Sequence, residues 1–222
     1  MKMKLTAIAI AILAALFILS FSIALPILFR PFYYMQIEAF GLPEDTGLSI
    51  DEIKLAYNEM MDYCLGLRSD FSAGPLPFSE EGASHFYDVR VLFLIDLAVL
   101  LVSSLSLIAI LIILKVKKLT PYRFLGRSAP FWSVSAILGA SSVIGIACAI
   151  DFDTTFDIFH HIFFIGKTNW AFKPSKDPII NLLPAEFFLN CAIFIGASVL
   201  LLSAAVLIFE FIPRKSVEKL NK

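Results

Sequence analysis

VLFLIDLAVLLVSSLSLIAILIIL, residues Val91 to Leu114, is a run of 24 residues with a single charged side chain, Asp96. About 20 apolar residues in helical form cross the hydrocarbon core of a bilayer. Working outward, three more runs of that kind appear: Leu5 to Phe29, Ser128 to Ile150 and Phe187 to Ile212. The 222 residues are 59% hydrophobic and only 17% charged, with mean hydropathy +0.83. A soluble domain of this size cannot hide so much apolar surface. The expected class is an all-α membrane protein with four transmembrane helices, spanning at about 5–29, 91–114, 128–150 and 187–212. The loops between spans 1 and 2 and between spans 3 and 4, residues 30–90 and 151–186, form an extracellular cap.

The charges set the orientation. Eleven of the eighteen Lys and Arg fall in residues 1–4, 115–127 and 213–222. The positive-inside rule places these segments, and both termini, in the cytoplasm. All three histidines then lie in the cap: His85, His160 and His161. No basic patch lies outside the membrane flanks, so no nucleic-acid partner is expected. Met1 to Lys4 followed by the apolar run suits either a retained helix or a cleaved signal peptide, with Ser22-Ile23-Ala24 as a loose cleavage site. A retained helix is favoured, because Leu25 to Phe29 continues the apolar run. Cys64, Cys148 and Cys191 imply no disulfide framework. Three free thiols are the simplest reading, with a Cys148–Cys191 bridge left open.

Within the first cap segment, Ser49-Ile50-Asp51-Glu52 is a capping-box signature. Apolar residues at Ile53, Tyr57, Met60/Met61 and Cys64 follow at helical spacing. An amphipathic helix from Ile50 to about Leu65 is expected. Gly66 to Pro77 is a loop. Ser79-Glu80-Glu81 then starts a long helix, since a hydroxyl N-cap with acidic residues in the first turn is a start signal. Its first three turns stand outside the membrane. On this helix His85, Asp88, Leu92 and Asp96 share a face within about 80°, with Arg90 opposite. Asp88 can orient or charge-stabilise His85. Alone, His85 and Asp88 suit a wet interfacial face equally well. Asp96, more than a turn inside the apolar run, reads first as helix–helix glue.

The second cap segment is DFDTTFDIFHHIFFIGKTNWAFKPSKDPIINLLPAE, Asp151 to Glu186. It carries seven aromatics between Phe152 and Phe172. By itself this suits an interfacial aromatic belt. If helical, Asp153, Asp157, His160 and Phe164 share a face, and Asp157 also stands four residues before His161. Adjacent His160 and His161 point about 100° apart, so at most one shares a site with His85. Two His–carboxylate pairs are the minimum set for a paired acid and base near neutral pH. Zinc ligation lacks a recognisable spacing. Serine chemistry lacks a G-x-S-x-G or S-x-x-K setting, and Cys64 has no activating neighbour.

FSEEGASHFYDVRVLF (Phe78 to Phe93) and FHHIFFIGKTNWAFKPSKDPIINLLPAEFF (Phe159 to Phe188) resemble the two signature blocks of the lipoprotein intramolecular transacylase (Lit) family. The matching features are F-S-E, H-x-x-D-V-[RK], F-H-x-x-F-F, N-W-x-F, D-x-x-I and L-P-x-[EQ]-F-[FW]. The sequence departs from the pattern at Lys173, where a turn-compatible residue is more usual. The resemblance implies an acyltransferase of the bacterial cell membrane acting at the outer face. Its substrate is a diacylated lipoprotein, with membrane lipids as further partners. The sn-2 acyl chain of the diacylglyceryl cysteine moves to the N-terminal amine of the same molecule, giving a lyso-form lipoprotein. The implied catalytic pair is His85 and His160; His161 occupies a variable position. His160 is assigned as base and His85 as acid or oxyanion stabiliser. Asp88, Arg90, Asp157, Asn169, Trp170 and Glu186 are candidates for orienting or positioning roles. No cofactor or metal is expected, since turning an ester into an amide is downhill. The alternative is a non-catalytic membrane protein whose outer cap binds a lipid or protein partner.

Overall fold

The computed structural model describes residues 2–212. Met1 and the tail 213–222, assigned above to the cytoplasm, lie outside the described residues. Among the described residues eight α-helices follow one another: α1 (Lys2–Leu28), α2 (Pro31–Tyr34), α3 (Leu42–Thr46), α4 (Ile50–Cys64), α5 (Glu80–Val116), α6 (Ala129–Ile150), α7 (Phe152–Phe163) and α8 (Ala185–Phe211), with a 3₁₀ helix at Pro178–Leu182 before the last. No strand occurs among the described residues. Helices α1, α5, α6 and α8 are long and apolar enough to cross a membrane. At 1.5 Å per residue the 37-residue α5 is about 55 Å long, well beyond the ~30 Å hydrocarbon core. Glu80, Glu81, His85, Asp88 and Arg90 precede the apolar run, so they belong to the part that need not enter lipid, whereas Asp96 lies within the run.

The chain divides into two compact units. The first comprises residues up to Phe21, Val99–Val143, and those from Gly196 on. Small residues let its helices approach: Ala7 and Ala129 are buried with Ile10 and Leu114, and Ile18 packs with Val134, Ile137 and Val199. Ser133 Oγ donates to the Ala11 carbonyl at 2.6 Å. Arg123 pairs with Glu210.

The second unit, Ser22–Ala98 and Ile144–Ile195, holds the loops. Its organiser is α4. The capping box forms, with Ser49 accepting from the Glu52 N–H and the Glu52 side chain accepting from the Ser49 N–H. The apolar face read from the sequence is buried: Ile53, Ala56, Tyr57, Met60, Met61 and Cys64. Tyr33 stacks on Tyr57 at 3.8 Å and donates its hydroxyl to the Leu182 carbonyl at 2.8 Å. Phe187 of α8 meets both rings edge-on. The loop after α4 returns so closely that a Cβ at Gly74 would lie 2.9 Å from the Ala56 nitrogen, and its φ is +59°. Only glycine fits there. The cysteines Cys64, Cys148 and Cys191 are all free thiols.

Candidate active site

Within the second unit lies an apolar cavity of about 300 Å³. Val89, Leu92 and Phe93 of α5, Phe156 and Phe159 of α7, and Phe187, Phe188 and Ile195 of α8 line it, with Trp170 and Phe172 from the connecting loop. His85 and His160 stand together in its wall, with ring centroids 6.1 Å apart. They are 5% and 7% exposed, so both imidazoles are withdrawn from solvent yet face a space of their own.

Local structure explains each position. Asp151 caps α7 by accepting from the Thr154 N–H, and the helix then turns His160 inward and His161 outward. His160 Nδ1 donates to the Phe156 carbonyl at 2.8 Å. A carbonyl only accepts, so Nδ1 carries the proton and Nε2 keeps its lone pair. Trp170 stacks on His160 at 4.7 Å, and Phe156 meets it edge-on at 4.3 Å. His85 is walled by Phe164 at 4.9 Å and Phe172 at 5.3 Å. Its Nδ1 is buried with no hydrogen-bond partner among the described residues. Such an atom is costly unless something else supplies its bond.

Both rings are biased towards the neutral form. Burial, and then the neighbouring His160, push the His85 imidazole down to about 4, against the pull of Asp88. Burial also lowers His160, against the Phe156 carbonyl and Asp157. Desolvation disfavours the imidazolium. Burial likewise pushes the Cys64 thiol up to about 12, which leaves it inert as a nucleophile.

A sequence model described as lipoprotein intramolecular transacylase Lit matches residues 8–188. The chain belongs to this family. It is therefore an acyltransferase of the transacylase type and a multi-pass membrane protein with a lipoprotein substrate, and the non-catalytic alternative falls away. No curated protein sequence matches the chain. Its fold is similar to the solved membrane integral lipoprotein intramolecular transacylase Lit from Bacillus cereus, with TM-score 0.83 at 23% identity over 98% of this chain and 96% of that one. A variant of that protein with a histidine replaced by arginine matches with TM-score 0.76 at 24% identity, covering 98% of this chain and 92% of that one.

In this Lit-family chain the other candidates take varied places. Asp88 does not bond His85. It pairs with Lys167 and accepts from Asn169 Nδ2 at 3.2 Å. Burial opposes its charge, but these bonds outweigh it and hold the carboxyl below the usual range. Asp88 thus pins the loop carrying Trp170 and reaches His85 only through its field. Asp157 reaches His160 only through its field as well, and its backbone carbonyl accepts from His161 Nδ1 at 2.8 Å. Arg90 turns back to the segment before α5, donating to the Arg68 carbonyl at 2.9 Å over the Tyr63 ring. Glu186 is exposed in the first turn of α8, and His161 is exposed. The departure at Lys173 still makes a turn, its carbonyl accepting from the Lys176 and Asp177 N–H groups at 2.9 Å.

Sequence reasoning missed two contributors. Lys167 supplies the charge that Asp88 needs. Asp177, 4% exposed, accepts from the Ser79 N–H at 2.7 Å and the Ser79 hydroxyl at 2.8 Å, joining the loop to the start of α5. Both ends of that bridge lay in the F-S-E and D-x-x-I signatures, but nothing in either motif says that they meet.

Proposed function

We propose that the chain moves the sn-2 acyl group of a diacylglyceryl-cysteine lipoprotein to the α-amine of the same cysteine, at the outer face of a bacterial cell membrane with both termini cytoplasmic. The observation that carries this reading is the pair of buried imidazoles 6.1 Å apart in the wall of an apolar cavity. A fatty-acyl chain fills such a cavity, while its ester carbonyl and the cysteine amine lie between the rings.

The chemistry follows from the two environments. A cysteine α-amine is largely protonated below its pKa of about 7.7–8.0 and attacks only as the free base. As nitrogen adds to the ester carbonyl, His160 Nε2 takes the amine proton. The tetrahedral oxyanion is met by His85, whose depressed pKa keeps it a neutral donor rather than a second charge. On collapse the bond from carbonyl carbon to glyceryl oxygen breaks, and the imidazolium of His160 returns its proton to that oxygen. Both rings end as they began. The two ends of one substrate need only be held together, so most of the acceleration comes from positioning. The aromatic wall and the Asp88–Lys167–Asn169 clasp supply it. Asp96 is assigned no part in the reaction. The location rests on the clustering of Lys and Arg in 1–4, 115–127 and 213–222.

A labelled substrate tests this directly. Purified enzyme receives a lipopeptide whose sn-2 chain alone is deuterated, mixed with an unlabelled lipopeptide of different peptide mass. The expected product carries the label on the amine of the same peptide that lost it from glycerol. Label appearing on the other peptide would contradict the intramolecular transfer.

A further inference from the structure

A second cavity, of about 220 Å³, lies beside the first within the same unit. Ser79, Glu81 and Gly82 at the start of α5 line it from one side, and the loop from Thr168 to Asp177 lines it from the other. From Asn169 to Lys173 the residues of that loop alternate. Trp170 and Phe172 line the apolar cavity, whereas Thr168, Asn169, Ala171 and Lys173 line the polar one. Phe172 borders both. The loop thus contributes to both cavities.

Along α5 the order is Gly82 in the polar cavity, His85 at the reacting centre, then Val89 and Phe93 in the apolar cavity. Eleven residues of helix separate the ends, roughly 16 Å. The substrate of the proposed reaction has the same order: peptide, cysteine with its glyceryl ester, acyl chain. Asn169 gives Nδ2 to Asp88 and Ser84, but its Oδ1 is buried and unpartnered among the described residues. Asn169 lines the cavity, and a turn of its amide presents this unpartnered acceptor to a peptide N–H. At the exposed rim Lys173 and Lys176 face Glu81, whereas the Asp177 carboxylate keeps its charge but is 4% exposed and turned onto Ser79.

We propose that the polar cavity between the start of α5 and the 168–177 loop is the subsite for the extended peptide that follows the lipidated cysteine, and that it favours acidic side chains there. Asn169 Oδ1 accepts a backbone N–H of that peptide, and Lys173 and Lys176 face its side chains. This rests on the reading of the substrate given above.

Two substrates separate the two ideas. One is a diacylglyceryl-cysteine lipopeptide with five further residues, two of them Asp. The other is diacylglyceryl-cysteine N-methylamide, which has no peptide. N-acylation is followed by mass spectrometry with full-length enzyme in detergent. The expected KM is about tenfold lower for the lipopeptide, as one or two hydrogen bonds with charged partners give. Thr168→Trp, an exposed position whose new ring fills the cavity, brings that ratio to about one. The double variant Lys173→Glu/Lys176→Glu, also exposed, does the same for the Asp-bearing peptide and restores the advantage to a lysine-bearing one. Equal KM values for both substrates with unaltered enzyme, or a ratio unchanged in both variants, would overturn the subsite while leaving the transfer intact. Failure to N-acylate either substrate would instead sink the underlying reaction, and the subsite with it.

Discussion

Gly82→Ala probes the bridge that holds the site loop onto α5. A Cβ at Gly82 would stand 2.2 Å from Asp177 Oδ1, 2.8 Å from Asp177 Cγ and 3.2 Å from Phe172 Cε1. Asp177 is 4% exposed and holds Ser79 through both carboxylate oxygens, so it cannot step aside without breaking a bond. Losing one hydrogen bond to a charged group costs about 1.5–3 kcal/mol. Alanine's advantage over glycine in a helix returns at most about 1 kcal/mol. The balance is a loss of about 2 kcal/mol, or roughly 4–8 °C in apparent Tm for a chain of this length. Phe172 must shift as well, and it packs on His85, so kcat falls with the Tm. Thermal unfolding in detergent reads the stability, with Gly139→Ala as control, because a Cβ there meets nothing within 4 Å. In an Asp177→Ala background the added Gly82→Ala should cost almost nothing. A Gly82→Ala variant as stable as the Gly139→Ala control, or a penalty that persists without Asp177, would refute the reasoning.

Other outcomes follow from the same geometry. Trp170→Ala removes the ring stacked on His160, worth about 0.5–1.5 kcal/mol, and should cut kcat about tenfold through a mispositioned imidazole, while expression and Tm stay near wild type. Lys167→Met loosens the loop and leaves Asp88 with Asn169 but no counter-charge; its loss of kcat should be largely hidden in an Asp88→Asn background, read as a double-mutant cycle. Carbon-13 NMR of labelled imidazoles should find His85 and His160 titrating below the ordinary 6.5. Because folding depresses both, their contribution to stability is present above the unfolded pKa and is lost as pH falls from about 6.5 towards the folded values. Apparent Tm should therefore drop between pH 7 and pH 5, and the drop should shrink in His85→Phe.

How much of this was legible in sequence differs element by element. The helices α1, α5, α6 and α8 were plain, because twenty-odd apolar residues in a row have few other fates. Ser49-x-x-Glu52 and the spacing of Ile53, Tyr57 and Met60 gave α4, since both signals are local. The choice of His160 over His161 came from the resemblance, and helical geometry allowed only one of them inward. The field of Asp88 does reach His85, but its hydrogen-bond partners could not be read from the sequence. An (i, i+3) neighbour on a helix looks like His85's obvious partner, but Lys167 and Asn169 arrive from 79 and 81 residues away and take both its oxygens. The partner of Arg90 was out of reach for a related reason, since the Arg68 carbonyl lies 22 residues back. Contacts set by chain return leave no periodic trace.

The central claim is N-acylation that depends on both inward histidines. The most direct measurement is mass spectrometry of the N-terminal lipopeptide of a reporter lipoprotein, in a bacterium lacking its own N-acylation, with and without this chain. The account predicts an acyl group gained on the cysteine amine and one lost from glycerol. It predicts a loss of at least about 100-fold in His85→Ala and in His160→Ala, the scale of removing an acid–base or oxyanion group. The exposed His161→Ala should change the rate less than about threefold by the same reasoning. An unchanged diacylglyceryl cysteine with the protein in the membrane, or full activity in the His160→Ala variant, would contradict it.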